Sequence, residues 1–435
     1  MPFAQPKPAS MDGGGTGGNL SGKQHLMSTG IPIDTLPAED ASPWRPTLYV
    51  MFAAQFLSMV GFAFTLPFLP FYIRELGVAD ERLVPVWAGV MMASGSLVMA
   101  FFSPLWGWLS DRYGRKIMVE RAMFGGAVIT FSMGLVTDVW QLLFLRLLSG
   151  ATTGTISASI AMVSTTVPGS RLGYGLGLMQ VSVFLGMTLG PWIGGLLADA
   201  IGYRHTFMAG GVILLIGGLL VLFWTRENFV RPSAETLRGS ATLLSLLTYA
   251  GFPAMLTLFF LFHFTVQFVA PILPLFIETM HETAWGGIAA TTGLLFAVSG
   301  GTAAVAAGGI GYLSDRVGYK PVLLVHIALT ALTMLLHGFA QGVAQLLLLR
   351  FFYGLAAGGI LPTMNALVGR LVPPSSYGKA YGLTASTTCL GMAAGPFCGG
   401  LMAAWWGYRW PFAAVAAMMI AIAMPAVLSV RQRPG

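Results

Sequence analysis

Twelve long apolar runs constrain this chain more than any other feature. They lie near residues 48–73, 85–110, 117–137, 139–166, 174–200 and 204–224, then 250–277, 285–313, 321–341, 343–371, 378–404 and 410–430. Each has the roughly 20 residues that a helix needs to cross a hydrocarbon core. Inside lipid every backbone N–H and C=O must find a partner within the protein, so only helices and closed barrels can span. The runs are continuous rather than alternating, which selects helices over barrel strands. Charge agrees: 9% of the 435 residues are charged, against about 25% in soluble chains.

The net charge of +7 does not call for a nucleic-acid partner. With both termini in the cytoplasm, seventeen of the 23 lysines and arginines fall on the cytoplasmic side. Arg74, Arg82, Arg204 and Arg409 fall outside, and Arg146 and Arg350 lie within spans. That asymmetry is the charge pattern that orients membrane helices. Residues 1–44 are rich in Gly, Pro and Ser and lack apolar periodicity, so they read as a disordered cytoplasmic tail. No pattern of a cleavable signal peptide precedes the first span, which serves as the insertion signal. Cys389 and Cys398 stand on opposite faces of one span, which excludes a disulfide and a shared metal site. HExxH, a phosphate-binding loop and His/Cys clusters are all absent, so the expectation is no enzyme, no metal and no cofactor.

The chain repeats itself. Gly107-x-x-x-Asp111-Arg112-x-Gly114-Arg115-Lys116 returns 204 positions later as Gly311, Asp315, Arg316, Gly318, Tyr319 and Lys320. Pro67 and Pro70 return as Pro271 and Pro274, and Arg146 with Gly150 returns as Arg350 with Gly354. Gly177, Gly186, Gly190, Pro191, Gly194 and Gly195 return as Gly382, Gly391, Gly395, Pro396, Gly399 and Gly400, offset by 205. This divides the chain into a six-helix bundle at 45–225, a cytoplasmic linker at 226–249, a second bundle at 250–430 and a cytoplasmic tail at 431–435. The expected fold is an all-α polytopic membrane protein of twelve transmembrane helices in two pseudo-symmetric six-helix bundles. Internal repeats of this kind are an architecture for alternating access.

Gly107 permits close helix approach and Gly114 a tight turn, while Arg112, Arg115 and Lys116 hold the loop at the cytoplasmic face. Asp111 is suited to the positive end of a helix. This loop, complete over ten residues, resembles the signature of the major facilitator superfamily, and the resemblance covers roughly residues 46–430. It implies a conformational latch made of Gly107, Asp111, Arg112, Gly114, Arg115 and Lys116, with Asp111 near the start of the eleventh span, and a weaker copy at Asp315 and Arg316. The family often places an acidic partner near the end of the fourth span. Here no Asp or Glu lies between Asp138 and Asp199, and Glu120 is a local substitute.

Gly186, Gly190 and Gly194 share one helix face and form a strip that another helix can approach closely, and Pro191 can bend that helix. With Gly177 and Gly195 they resemble the family's antiporter motif, which implies export in exchange for protons. Arg146 and Arg350 are charges inside spans, functional candidates by their cost. The resemblance ties Arg146 to proton coupling. His263 titrates in a useful range and is a third coupling or gating candidate. Gln55, Phe56, Gln267 and Asn365 are candidates for lining a substrate cavity, and phenylalanines such as Phe64, Phe259, Phe262 and Phe268 suit an adaptable apolar wall.

The resemblance implies a proton-coupled exporter of lipophilic or amphipathic small molecules in a bacterial inner membrane. The expected partners are substrate, protons and the lipid bilayer, and the expected working form is a monomer. A dedicated exporter of a metabolite, sugar or siderophore, and an importer working by symport, are the alternatives.

Overall fold

Proline and glycine break four of the apolar rods, at matching places in the two repeats. The structure, a computed structural model, describes residues 44–152, 154–227, 246–249, 251–282, 286–373 and 377–429. The remaining tail and linker residues lie outside that set, as do the side chains at 104, 107, 111, 311, 312, 315, 377–379 and 423–429. The first bundle runs α1 (Trp44–Ala63), α2 (Leu69–Glu75), α3 (Val84–Tyr113), α4 (Arg115–Met133), α5 (Val139–Thr152), α6 (Thr155–Thr166), α7 (Leu172–Ile201) and α8 (Tyr203–Trp224). The second runs α9 (Phe252–Phe268), α10 (Leu273–Glu278), α11 (Ile288–Val317), α12 (Tyr319–His337), α13 (Val343–Ala357), α14 (Ile360–Leu371), α15 (Tyr377–Trp406) and α16 (Trp410–Ser429).

The spans expected at 48–73, 139–166, 250–277 and 343–371 are each made of two helices. Pro67 and Pro271 supply no backbone N–H, so the helix cannot continue through them, and Pro70 and Pro274 then sit in the opening turns of α2 and α10. Gly154, at φ 131°, turns the chain between α5 and α6. Among the described residues, ten helical segments are long and apolar enough to cross a membrane. The expected third and twelfth spans fall short of that measure. The first two turns of α4 carry Arg115, Lys116, Glu120 and Arg121, and the counted part of α16, Trp410–Ile422, is short.

Glycine sets how closely the helices approach. Gly186, Gly190 and Gly194 lie against α1, where a Cβ on Gly194 would overlap the Phe64 carbonyl. Their repeats Gly391, Gly395 and Gly399 lie against Phe260, Phe264 and Phe268 of α9 in the same way. Phe64, Phe259, Phe262 and Phe268 are buried, so they fill the bundles rather than wall a cavity.

The bundles meet along two helix pairs, α3 with α15 and α7 with α11. Pro85 abuts Gly400 and Gly89 abuts Pro396 in the first pair. In the second, Gly195 abuts Ala289, Gly293 abuts Pro191, and Gly300 abuts Thr188. Gly177 shares the α7 face of Gly195 about five turns away, and Gly382 shares the α15 face of Gly400 likewise. A Cβ at Gly177, Gly308, Gly309 or Gly382 would meet nothing within 4 Å. The bundles are therefore closed at the Glu278 end and parted at the Arg112 end.

Candidate functional site

The closed end is held by charges from both bundles. Arg74 on α2 donates from Nη1 to Glu278 Oε1 on α10 at 2.7 Å and from Nη2 to Glu81 Oε2 at 2.6 Å. Arg74 and Glu278 are 204 positions apart, the period of the repeat. They are one duplicated position, diverged to opposite charges that pair across the pseudo-two-fold axis. The bond to Glu278 is the main cause that holds the Arg74 pKa above its ordinary value. Beside them, the Asp199 carboxylate accepts the Ala290 N–H at 2.8 Å. This places an acid of the first bundle on the positive N-terminus of α11 in the second. Gly287 is required here because a Cβ would overlap Asp199. A cleft of about 470 Å³ is lined by Phe71, Arg74, Asp199, Tyr203, Glu278 and Ile288.

At the parted end, Gly114 joins α3 to α4 with φ 102°. The first two N–H groups of α4, those of Arg115 and Lys116, donate to the Glu227 carboxylate at 2.9 and 2.8 Å. Lys116 Nζ donates to the carbonyls of Leu222 at 2.9 Å and Thr225 at 2.8 Å, where a cation suits the end of α8. Glu120 stands 3.6 Å from the same Nζ. The loop is thus tied to its own bundle through α8. Arg112 lies over the rings of Trp108 and Tyr113. Gly107 is in α3 and Arg316 in α11; the side chains of Asp111 and Asp315 lie outside the described residues. Glu227 went unforeseen, although it is the acid that follows α8 directly and α4 has no capping side chain of its own.

Arg146, on α5, donates from Nη2 to Thr65 Oγ1 at 2.9 Å, at the break between α1 and α2. Its Nε is buried without a partner. The side chain therefore reaches inward to α1 rather than out to the interface. Arg350 is buried between the rings of Phe296 and Tyr353. His263 Nδ1 lies 2.9 Å from the Phe259 carbonyl and 3.5 Å from Thr388 Oγ1 of α15. Gln55 is fully buried, and neither Oε1 nor Nε2 has a partner. One turn on, Ser58 donates to Thr155 Oγ1 of α6 at 3.2 Å. The Phe56 carbonyl faces Gly186, and Gln267 packs its Cβ against Gly395. The Asn365 carbonyl accepts Tyr381 Oη at 3.0 Å.

Arg121 lies in the second turn of α4, its guanidinium 3.4 Å over the Trp106 ring.

The Major Facilitator Superfamily pattern matches residues 51–309 and 284–435. The chain belongs to the major facilitator superfamily. Among this superfamily's members, Multidrug resistance protein MdtG of Salmonella paratyphi B is 32% identical over 401 residues, covering 91% of this chain and 98% of its own. The Klebsiella pneumoniae protein of the same name is 32% identical over 393 residues, covering 89% and 94%. Solved structures share the fold. A bacterial homolog of the human lysosomal transporter Spinster, inward-facing and occupied, superposes with a TM-score of 0.76 at 14% identity, over 89% of this chain and 97% of its own. The nucleoside transporter NupG does so with a TM-score of 0.68 at 15% identity, over 88% and 100%.

Proposed function

We propose that this superfamily member is a secondary transporter that exports lipophilic or amphipathic small molecules by alternating access, coupled to protons. The observation that carries the reading is the 32% identity, over nearly the whole chain, to proteins named for multidrug resistance. The geometry supports alternating access, since two repeat-related bundles touch at one end and part at the other. With the termini in the cytoplasm, the parted Arg112 end faces inward and the Arg74–Glu278 end faces outward. The state is then open to the cytoplasm, ready to load cargo for export. Arg146 and Arg350 act as gating charges on the fourth and tenth spans. His263 carries the proton, because the bond to Phe259 occupies Nδ1 and leaves Nε2 available.

Everted membrane vesicles with an imposed pH gradient test this directly. They are expected to accumulate a fluorescent amphipathic dye and to release it when the gradient is collapsed. Accumulation unchanged after collapse would remove proton coupling. His263→Ala is expected to flatten the pH dependence of exchange, and a retained dependence would remove His263 as carrier.

A further inference from the structure

The fourth and tenth spans are each broken, and a ring N–H from a neighbouring helix reaches both breaks. α5 ends at Thr152 and α6 starts at Thr155, while α13 ends at Ala357 and α14 starts at Ile360. The last carbonyls of a helix have no partner within it. At the first break, Trp106 Nε1 donates to the Ala151 carbonyl at 2.6 Å. At the second, His326 Nδ1 lies 2.6 Å from the Ala356 carbonyl. A carbonyl can only accept, so Nδ1 carries the proton. The imidazole also covers the break itself, where a Cβ on Gly359 would overlap the ring.

Ala151 and Ala356 are 205 positions apart, the offset of the two glycine ladders, so theirs is one duplicated carbonyl. The donors are not duplicates. Trp106 is on α3, and its counterpart 204 positions on is Ile310; His326 is on α12, and its counterpart 204 positions back is Ala122. Neither counterpart has a side-chain donor. Each repeat has therefore brought a different ring from a different helix to the same carbonyl. Common ancestry accounts for the carbonyl. A common requirement accounts for the two donors.

The position of the breaks supplies that requirement. Before each break the span is seated without slack. A Cβ on Gly150 would overlap the Gly95 carbonyl of α3, and one on Gly354 would overlap the Ser299 carbonyl of α11. Arg146 and Arg350 lie on these seated halves. Beyond the breaks, α6 and α14 lead to the starts of α7 and α15 at the parted end. Closing that end turns α6 and α14 against the seated halves, and the angle is set at the break.

We infer that Trp106 and His326 are positioning residues of the transport cycle. Their ring N–H groups hold the two breaks at the angle of the state that is open at the Arg112 end, and release them as that end closes. The inference rests on the alternating-access reading and requires neither ring to touch cargo.

Spin labels at positions 173 and 317, at the parted ends of α7 and α11, read the balance of open and closed forms in the purified full-length protein with Cys389 and Cys398 replaced by Ser. Trp106→Phe and His326→Leu remove the donors and keep apolar bulk. Each is expected to enrich the short distance about fivefold, the effect of losing one hydrogen bond of ordinary strength. His326→Gln, whose amide N–H can donate, is expected to restore the wild-type distribution. Unchanged distances in both donor-free variants, or His326→Gln behaving as His326→Leu does, overturn the inference. If the Leu variant does not fold, nitrogen NMR of the histidine-labelled wild type decides. The His326 resonance, identified by its loss in His326→Gln, is expected to show a neutral ring protonated at Nδ1. A neutral ring protonated at Nε2 cannot donate to Ala356 and overturns the second clamp. In everted vesicles both donor-free variants are expected to move dye about threefold more slowly. If the wild type moves no dye while the distances shift as expected, export fails and the clamps stand.

Discussion

Arg146 was legible as a candidate because a charge within an apolar run is costly, about 2.5–3.5 kcal/mol at the centre of a span. Its partner was not, because Thr65 lies 81 residues away on a segment that a proline breaks out of α1. Arg146→Ala is expected to abolish dye transport in everted vesicles while membrane insertion, read by detergent-solubilised yield, stays normal. Thr65→Val, which keeps the shape and removes the acceptor, is expected to lower transport less. Gln55 teaches the converse. It was expected at a cavity, and it is fully buried on α1 with neither amide atom paired. A buried polar group without a partner costs about 1–3 kcal/mol. Gln55→Met is therefore expected to raise the thermal unfolding midpoint, and a lower midpoint would show that the amide has a stabilising role.

At the scale of elements, the glycine ladder of α7 has two functions on separate faces. Gly186, Gly190 and Gly194 seat α7 on α1 within one bundle, while Gly195 and Pro191 touch α11 of the other. Shared spacing made the first function readable, since residues four apart lie on one face. The second was hidden, because nothing in the spacing names the helix that will arrive from the other bundle. Gly177 belongs to the same face as Gly195 yet meets nothing in this state. Two substitutions separate these cases. Gly194→Ala forces a backbone overlap with Phe64 and is expected to destabilise the protein by about 1–3 kcal/mol, read by thermal unfolding. Gly177→Leu is expected to leave stability near wild type and to block transport, because closing the parted end brings α11 onto that face. Normal transport by Gly177→Leu would show that α7 and α11 do not close there.

Over the whole molecule, the closed end is secured by Arg74–Glu278 and by Asp199 on α11, and the loop at Arg112 is tied to its own bundle. The two ends use different means. Arg74→Glu or Glu278→Arg alone places like charges opposite each other and is expected to open the closed end. The double swap is expected to close it again. Spin labels at positions 82 and 281, in a protein with Cys389 and Cys398 replaced by Ser, read this as a longer distance in each single variant and a wild-type distance in the double. No change in the single variants would mean that helix packing alone holds that end shut.

Helix content, membrane residence, duplication and the family were already determined by the amino-acid order, because each depends on local composition or on a pattern recurring at a fixed offset. Four broken rods were partly written there too, in Pro67, Pro271 and Gly154. What only the tertiary structure decided is which end is closed and which groups close it. Both ends present small residues on facing helices, so the sequence permits two closures of similar packing. The choice between them depends on contacts between groups such as Arg74 and Glu278, brought together only when both bundles have formed.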